Sequence, residues 1–358
     1  MSKDMPKHRR IYAALRHDIL TGKYSTDGKF PSEGMLIRRF GVSRITIRRA
    51  MDDLKNEGFL EGRSGSGTYL SALARHATGM IGLVIPDYSS SRFFHRLGDE
   101  LVQAGKNAGY TMLLGSLPGN TPAARAHEAI SLATEYAKRK VAGVIIEPVE
   151  LMPNSADLTH EIIAAFKHLH IPVVLVDRDI DPFERSGYDL VGLDNLKAGL
   201  MLGQHLIASG ARRIAFLMPP HSASANLQRM LGVAGAVIEA GHNWSNRNII
   251  YVNADDKAAL KKAISAKPRP DVIICHNDQT AAKLPHSVKV AGFDGIDGDA
   301  KRKFPTVCQP LRQIAETAIN TLLERIKRPE QPPRQILLEP CGNKGSQYLG
   351  QQSTDMPS

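Results

Sequence analysis

The chain has 358 residues, 42% of them apolar, and a formal net charge of +10. At roughly 100–200 residues per domain that length suggests two or three domains, and no apolar run reaches the roughly 18 residues of a membrane-spanning helix. The charge is uneven: residues 1–72 hold 14 Lys/Arg against 8 Asp/Glu, a net of +6, leaving +4 for the other 286 residues, an asymmetry that fits either a polyanionic partner or a solvated basic surface at the N-terminus.

The N-terminus, MSKDMPKHRRIYAALRHDIL, is basic and then amphipathic, without the apolar core or cleavage site of a signal peptide. The expected location is therefore the cytoplasm. Ile11, Leu15, Ile19 and Leu20 recur at helical spacing and predict a first helix ended by Gly22. In FPSEGMLIRRFGVS, Ser32 is an N-cap, Leu36, Ile37 and Phe40 form a second apolar face, and Gly41 supplies a tight turn. Ser43 caps a third helix in which Ile47, Ala50, Met51 and Leu54 mark the core face and Gly58 the end. Arg44, Thr46 and Arg48 remain for other faces near its start. FLEGRSGSGTYLS reads as two short strands around a Gly/Ser turn. Two helices joined by a tight turn, the second Arg-rich at its start, are suited to a major groove, where Arg forks onto guanine and Thr serves a base edge or phosphate. The candidate DNA contacts are Ser43, Arg44, Thr46, Arg48 and Arg49, with Ser32 and Glu33 at the second helix, Lys7 at the first, and Gly65, Ser66, Gly67 and Thr68 in the wing. A charged protein-interaction module is the competing reading.

These strings resemble the DNA-binding domain of the gluconate-repressor (GntR) family over about residues 6–71. The resemblance implies operator contacts at Arg44, Thr46 and Arg48 and entry of the wing turn into the adjacent groove. One position departs: where the family often has an Arg after the residue matching Glu33, this chain has Gly34.

Beyond residue 78, apolar runs alternate with amphipathic stretches. MIGLVIPD, YTMLLGS, VAGVIIEP, IPVVLVDRD, LVGLD, RRIAFLMPP, NIIYVNAD, DVIICHND and VKVAGFDG read as buried strands. LGDELVQAGKNAG, AISLATEYAKRK, EIIAAFKHLH, KAGLMLGQHLIASG, LGVAGAVIEAG and LRQIAETAINTLLERIK read as helices. Alternation of this kind predicts parallel sheets covered by helices, with ligands beyond strand C-termini. Cys275, Cys308 and Cys341 are widely spaced and are expected to be reduced. Trp244, in NWSNRN, is expected at the surface or in packing. No nucleotide fingerprint, GxSxG elbow or metal triad occurs, so neither an enzyme nor a cofactor is expected.

The ordered series IGLVIPDYSSSRFF, VAGVIIEP, IPVVLVDR, VGLDNLKAGLMLGQHLIASGARRIAFL, ICHND, VAGFDG and PTVCQP resembles the effector domain of the lactose/galactose-repressor family over about residues 79–347. The whole is similar to the arabinose-repressor subgroup, without the lactose-repressor hinge helix. The implied fold class is α/β: an N-terminal winged helix-turn-helix (1–71), a linker (72–78), a two-lobed type 1 periplasmic-binding-protein-like domain (79–347) and a disordered tail (348–358). The candidate effector contacts are Arg229, matching the family's cleft Arg, Asp294, Asn277, Asp278, Asp177 and Arg178, with Phe93 or Phe94 stacking on an apolar ring face; helix capping and core packing are the alternatives for these residues. Vicinal hydroxyls suit such Arg/carboxylate sets, so a sugar is the expected effector. Between Cys275 and Val288 only about a dozen residues remain, too few for the family's usual helix and loop; a short helix near 278–284 is the most that fits. The expected function is a homodimeric, effector-controlled repressor on a pseudo-palindromic duplex operator, with a transport-type solute-binding protein as the alternative.

Overall fold

The computed structural model describes residues 6–20, 23–24, 28–63, 65–71, 74, 79–295, 303–340 and 348–349. Helices α1 (Lys7–Leu20), α2 (Glu33–Phe40) and α3 (Arg44–Asn56) precede an antiparallel hairpin of β1 (Leu60–Arg63) and β2 (Gly67–Leu70). Local chemistry sets these boundaries. The Ser32 and Ser43 hydroxyls accept from the backbone N–H of Met35 and Thr46, both at 3.4 Å. Gly41 takes φ +62 in the turn and Gly58 takes φ +78 after α3. Ile47, Ala50, Met51 and Leu54 are buried, as the spacing of α3 requires. The segment at Gly28–Phe30 extends the hairpin: the Phe30 N–H donates to the Thr68 carbonyl at 2.9 Å.

The larger part holds two six-stranded sheets in which every strand pairing is parallel. In chain order the first sheet begins with β3 (Met80–Val84), α4 (Arg92–Asn107), β4 (Thr111–Gly115), α5 (Pro122–Lys138) and β5 (Val144–Ile146). It continues with α6 (Ser155–His168), β6 (Val173–Asp177) and β7 (Asp189–Leu193). The chain then crosses into α7 (Asn195–Ala208), β8 (Ile214–Met218), α8 (Ser224–Glu239), β9 (Ile249–Tyr251) and α9 (Lys257–Ser265). The second lobe goes on through β10 (Val272–Cys275), α10 (Asp278–Lys283), β11 (Val290–Asp294) and β12 (Thr306–Cys308). A second crossing at Gln309–Pro310 returns the chain to the first lobe as α11 (Leu311–Lys327) and β13 (Gln335–Leu338); β14 (Tyr348–Leu349) pairs in the second. The strand orders are β13-β7-β6-β5-β3-β4 and β14-β12-β11-β10-β8-β9.

Strands β5, β6, β7, β8, β10 and β11 are buried along their whole length, as continuous apolar runs covered by helices on both faces should be. Phe166, Phe216 and Phe293 are fully buried at the centres of the lobes. Helices α7 and α8 touch backbone to backbone: a Cβ at Gly199 would fall on the Arg229 carbonyl oxygen, and one at Gly232 on that of Leu196.

Four elements differ from the sequence reading. Thr306–Cys308 and Gln335–Leu338 are strands, Lys257–Ser265 is a helix, and Tyr348–Leu349, at the start of the tail expected to be disordered, is a strand. The first is three residues between two prolines, the second is only half-buried, and the third buries Leu260 alone, so none of these three carries a readable period. The short helix expected after β10 is α10. Cys275 is free and buried, Cys308 is disulfide-bonded, correcting the expectation that it is reduced, and Cys341 lies outside the described residues. Trp244 packs, partly buried, against the second-lobe core. Gly22, the tail beyond 349 and all of the expected linker except Ala74 lie outside the described residues; Ala74 is buried. Among the described residues no helix is long and apolar enough to cross a membrane.

Candidate ligand cleft and nucleic-acid interface

Strand C-termini from both lobes meet around a cavity of about 350 Å³. In the first lobe, β6 ends at Asp177, held at φ +75, which presents Asp177 and Arg178 at the cavity wall. The Arg178 guanidinium is 4% exposed and donates to Asp177 Oδ2 at 2.7 Å and to the Pro148 carbonyl. It also pairs with the Glu147 carboxylate, and Glu150 Oε2 stands 3.9 Å away. Ser91 caps α4, whose first turn brings Phe93 and Phe94 to the same cavity with ring centres 5.4 Å apart.

In the second lobe α8 supplies Arg229. Its Nε donates to Asn195 Oδ1 at 2.8 Å and its Nη1 to the His276 carbonyl at 2.7 Å, with Asp294 Oδ1 3.7 Å away. Its guanidinium also lies 4.9 Å from the Phe293 ring centre. Asp294 ends β11 at φ +113 and accepts from Gln309 Nε2 at 2.9 Å. Positive φ in two non-glycine residues at matching strand ends is strain of the kind that gathers at functional sites.

Sequence reading therefore finds Phe93, Phe94, Asp177, Arg178, Arg229, Asn277 and Asp294 at one cavity. Asn277 has a structural task there, accepting from the Thr280 N–H at 2.8 Å as the α10 cap. Asp278 is not brought to the cavity. It is 3% exposed, and Thr306 Oγ1 donates to its carboxylate, whose oxygens are 2.7 and 2.9 Å away. Asn277 is the N-cap and Asp278 the first residue of α10, and successive residues at a helix start point about 100° apart, so the pair faces different ways. Glu150, His276 and Gln309 are contributors that sequence reading missed. Glu150 lies two residues beyond VAGVIIEP, His276 within ICHND and Gln309 within PTVCQP, without a period or motif to single them out.

Burial governs the electrostatics. It raises Asp294 to about 7, against the opposing pull of Arg229 and Gln309. It raises Glu147 and Glu150 above the usual carboxylate range, with Arg178 opposing. It lowers His276 to about 3, with Arg229 adding to the effect, so the imidazole is neutral and its buried Nδ1 has no hydrogen-bond partner among the described residues. Guanidiniums and carboxyls thus face one another around the cavity, with Lys283 also in its lining.

The lobes also touch across the cleft mouth. The Leu151 N–H donates to the His221 carbonyl at 3.0 Å, Ser224 Oγ to the Asp179 carbonyl at 2.6 Å, and Gln228 Nε2 to the Pro182 carbonyl at 3.1 Å.

At the other end of the chain α3 turns Arg44, Arg48 and Arg49 outward and leaves Thr46 half-buried, its hydroxyl 2.9 Å from Ser43 Oγ. Arg44 Nε lies 3.1 Å from Glu33 Oε2 while both side chains face solvent, so the acidic neighbour holds the base-reading candidate in line with the helix start. Ile45, 81% exposed between them, is an apolar candidate that sequence reading passed over. Gly34 opens onto empty space. The wing turns at Gly65 (φ +72) and Gly67 (φ +113), with Ser66 Oγ 2.7 Å from the Tyr69 hydroxyl. Lys7 and Thr68 flank this face as exposed and half-buried residues respectively.

Residues 7–70 match the bacterial regulatory proteins of the gntR family, and residues 78–326 match the periplasmic binding proteins and sugar binding domain of the LacI family. The chain is 24% identical over 349 residues to an arabinose metabolism transcriptional repressor of Geobacillus stearothermophilus, covering 91% of this chain and 93% of that one. It is 27% identical over 277 residues to the transcriptional repressor PurR of Photobacterium profundum, covering 72% and 78%. Among solved structures, a complex of the transcriptional regulator CelR with cellobiose superposes with TM-score 0.61 at 19% identity, covering 87% of this chain and 98% of that one. A LacI-family regulator of Enterococcus faecium with bound ribose gives TM-score 0.57 at 18% identity, covering 76% and 100%. These likenesses in structure establish the fold.

Proposed function

This chain belongs to the LacI-type sugar-binding family of periplasmic binding proteins, and on that premise we propose that it is a DNA-binding transcriptional repressor whose effector is an uncharged sugar. The observation that carries the reading is the joining, in one chain, of an exposed Arg-rich helix to a two-lobed cleft lined by the Arg178 and Arg229 clusters. Names borne by similar chains, repressors of arabinose metabolism and PurR, support the regulatory half. We assign Arg44, Arg48 and Thr46 to base and phosphate contacts, the Gly65–Thr68 wing and Lys7 to the flanking backbone, and Ser32, Glu33, Ser43 and Arg49 to positioning. In the cleft, Arg229, Asp177, Arg178 and Asp294 take the hydroxyls and Phe93 or Phe94 the ring face. Two copies in the cytoplasm, paired through the sensor (79–347), place their readers (1–71) about 34–36 Å apart on a duplex. The effector acts by favouring one lobe arrangement, and can do so only by binding the two unequally.

A thermal-shift screen of pentoses, hexoses, sugar phosphates and nucleosides tests the cleft, because a ligand specific to the native state raises the melting temperature. The expected result is a shift with a neutral sugar and none with its phosphate. A sugar phosphate that binds better than the parent sugar would overturn the assignment.

A further inference from the structure

The DNA reader is held by more than the chain that joins it to the sensor. Arg16 on α1 reaches the turn after α4, where its Nη2 donates to the carbonyl of Ala108, the C-cap of that helix. The guanidinium occupies the space that a side chain at Gly109 would fill. It lies 5.3 Å from the centre of the Phe59 ring and 3.6 Å from Glu57 Oε2. Tyr12 donates to the other Glu57 oxygen. Tyr110 is buried beside this group, its hydroxyl pushed up to about 12 by burial, with Arg16 and Glu57 acting on it as the neighbouring charges. Lys327, the last residue of α11, runs past Gly58 so closely that a Cβ there would stand 2.7 Å from its Cε. One continuous apolar cluster contains Ile11, Leu15 and Leu54 of the reader together with Leu101, Ala104 and Ile326 of the sensor.

Of the two sensor helices in this contact, one starts in the cleft wall and the other is linked to it through the Gln309–Asp294 hydrogen bond. Helix α4 opens with Phe93 and Phe94 in the cavity wall and closes at Ala108 under Arg16. Helix α11 begins two residues after Gln309, which holds Asp294, and closes at Lys327 against Gly58. At 1.5 Å per residue each spans about 24–26 Å. They lie side by side: a Cβ at Gly105 would stand 3.8 Å from Ile319 Cδ1.

We infer that this docked face transmits cleft occupancy to the reader, with α4 and α11 acting as a pair of rods, one from Phe93 and Phe94 and the other from Gln309 behind Asp294, to Arg16, Glu57 and Gly58. The inference rests on the proposed ligand and DNA roles of the two sites. A close-packed rod moves as a unit, so a lobe shift felt at Phe93 or Gln309 displaces Ala108 and Lys327 and re-aims α3, whose end carries Glu57. No hinge helix is needed for this route.

The test is hydrogen exchange on the full chain. Arg16→Ala should speed exchange at residues 55–60 and 105–112 by about tenfold or more and leave 173–178 and 291–294 unchanged. Arg16→Lys should restore part of the protection, and Lys327→Ala should act at 55–60. Unchanged exchange in both alanine variants would overturn the docking. Gln309→Ala, at the far end of α11, should also loosen 55–60; a change confined to the cleft would overturn the transmission. Added D-ribose or L-arabinose that protects the cleft should alter 55–60 as well, and protection without that change would sink the inference while leaving the sugar site intact. If neither these sugars nor the hexoses and nucleosides of the screen protect the cleft, the ligand assignment fails, and Arg16→Ala and Gln309→Ala still decide the docking.

Discussion

Asp294 should make sugar binding depend on pH. Buried at 8% exposure, with its carboxyl raised to about 7, it is half protonated near neutrality in the free protein. A ligand hydroxyl donating to it favours the charged form, as the neighbouring Arg229 does, so the bound carboxyl titrates lower than the free one. Affinity therefore rises with pH through 7 and falls below it. If only the ionised form binds well, the apparent Kd at pH 5.5 is about 30-fold weaker than at pH 8, or about 2 kcal/mol. His276, lowered to about 3, is silent across that window. The assay is calorimetric titration, at several pH values, of the sugar that raises the melting temperature. Asp294→Asn keeps the acceptor for Gln309 Nε2 and should flatten the profile. Glu150→Gln is the control, because burial raises that carboxyl too; its profile should keep the slope. A wild-type affinity that is constant or improves towards pH 5.5 would refute the reasoning, as would a slope that survives Asp294→Asn.

Three further outcomes are expected. Arg44→Ala should cost about 1–3 kcal/mol of operator binding and much less on random DNA, whereas Lys7→Ala should weaken both alike; equal losses on the two DNAs for Arg44→Ala would remove its base-reading role. Gly34→Arg, entering open space, should tighten DNA binding at low salt and steepen the salt dependence by about one counterion, measured by fluorescence anisotropy at graded salt. Phe216→Ala, fully buried with its ring 6.4 Å from that of Phe293, should destabilise by about 3–5 kcal/mol in urea unfolding.

The reader was legible almost to the residue because its signals are local. Ser32, Gly41, Ser43 and Gly58 each do their work within four residues of their own position, and the Ile47–Leu54 spacing needs no partner to be read. The central strands of both lobes were legible for a related reason, since a strand buried on both faces is an unbroken apolar run, whereas β4 and β9, also read as buried, are only partly so. The cleft was only partly so. Asp177, Arg178 and Asp294 come from strings with family wording and Arg229 from a match to the family's cleft arginine, but nothing local says that Glu150, His276 and Gln309 gather around them. Asp278 shows the converse. It stands beside Asn277 in sequence, yet α10 directs it to Thr306, because successive residues of any α-helix point about 100° apart. The contact between Arg16 and Ala108 has no trace in the sequence, since the two are 92 positions apart.

The glycines between α7 and α8 give the second lobe a mechanical character. With the Gly199 backbone lying on the Arg229 carbonyl and Gly232 on Leu196, no side chain cushions the two helices at these two contacts. Arg229 is thus bolted to the element that follows directly from the first crossing at Asp194. A tug on its guanidinium has no soft spring to dissipate in and arrives at the crossing as torque. Even a methyl group at either glycine would fall about 2 Å from a backbone carbonyl oxygen, wedge the two helices apart and loosen the mounting of Arg229 in the cleft wall.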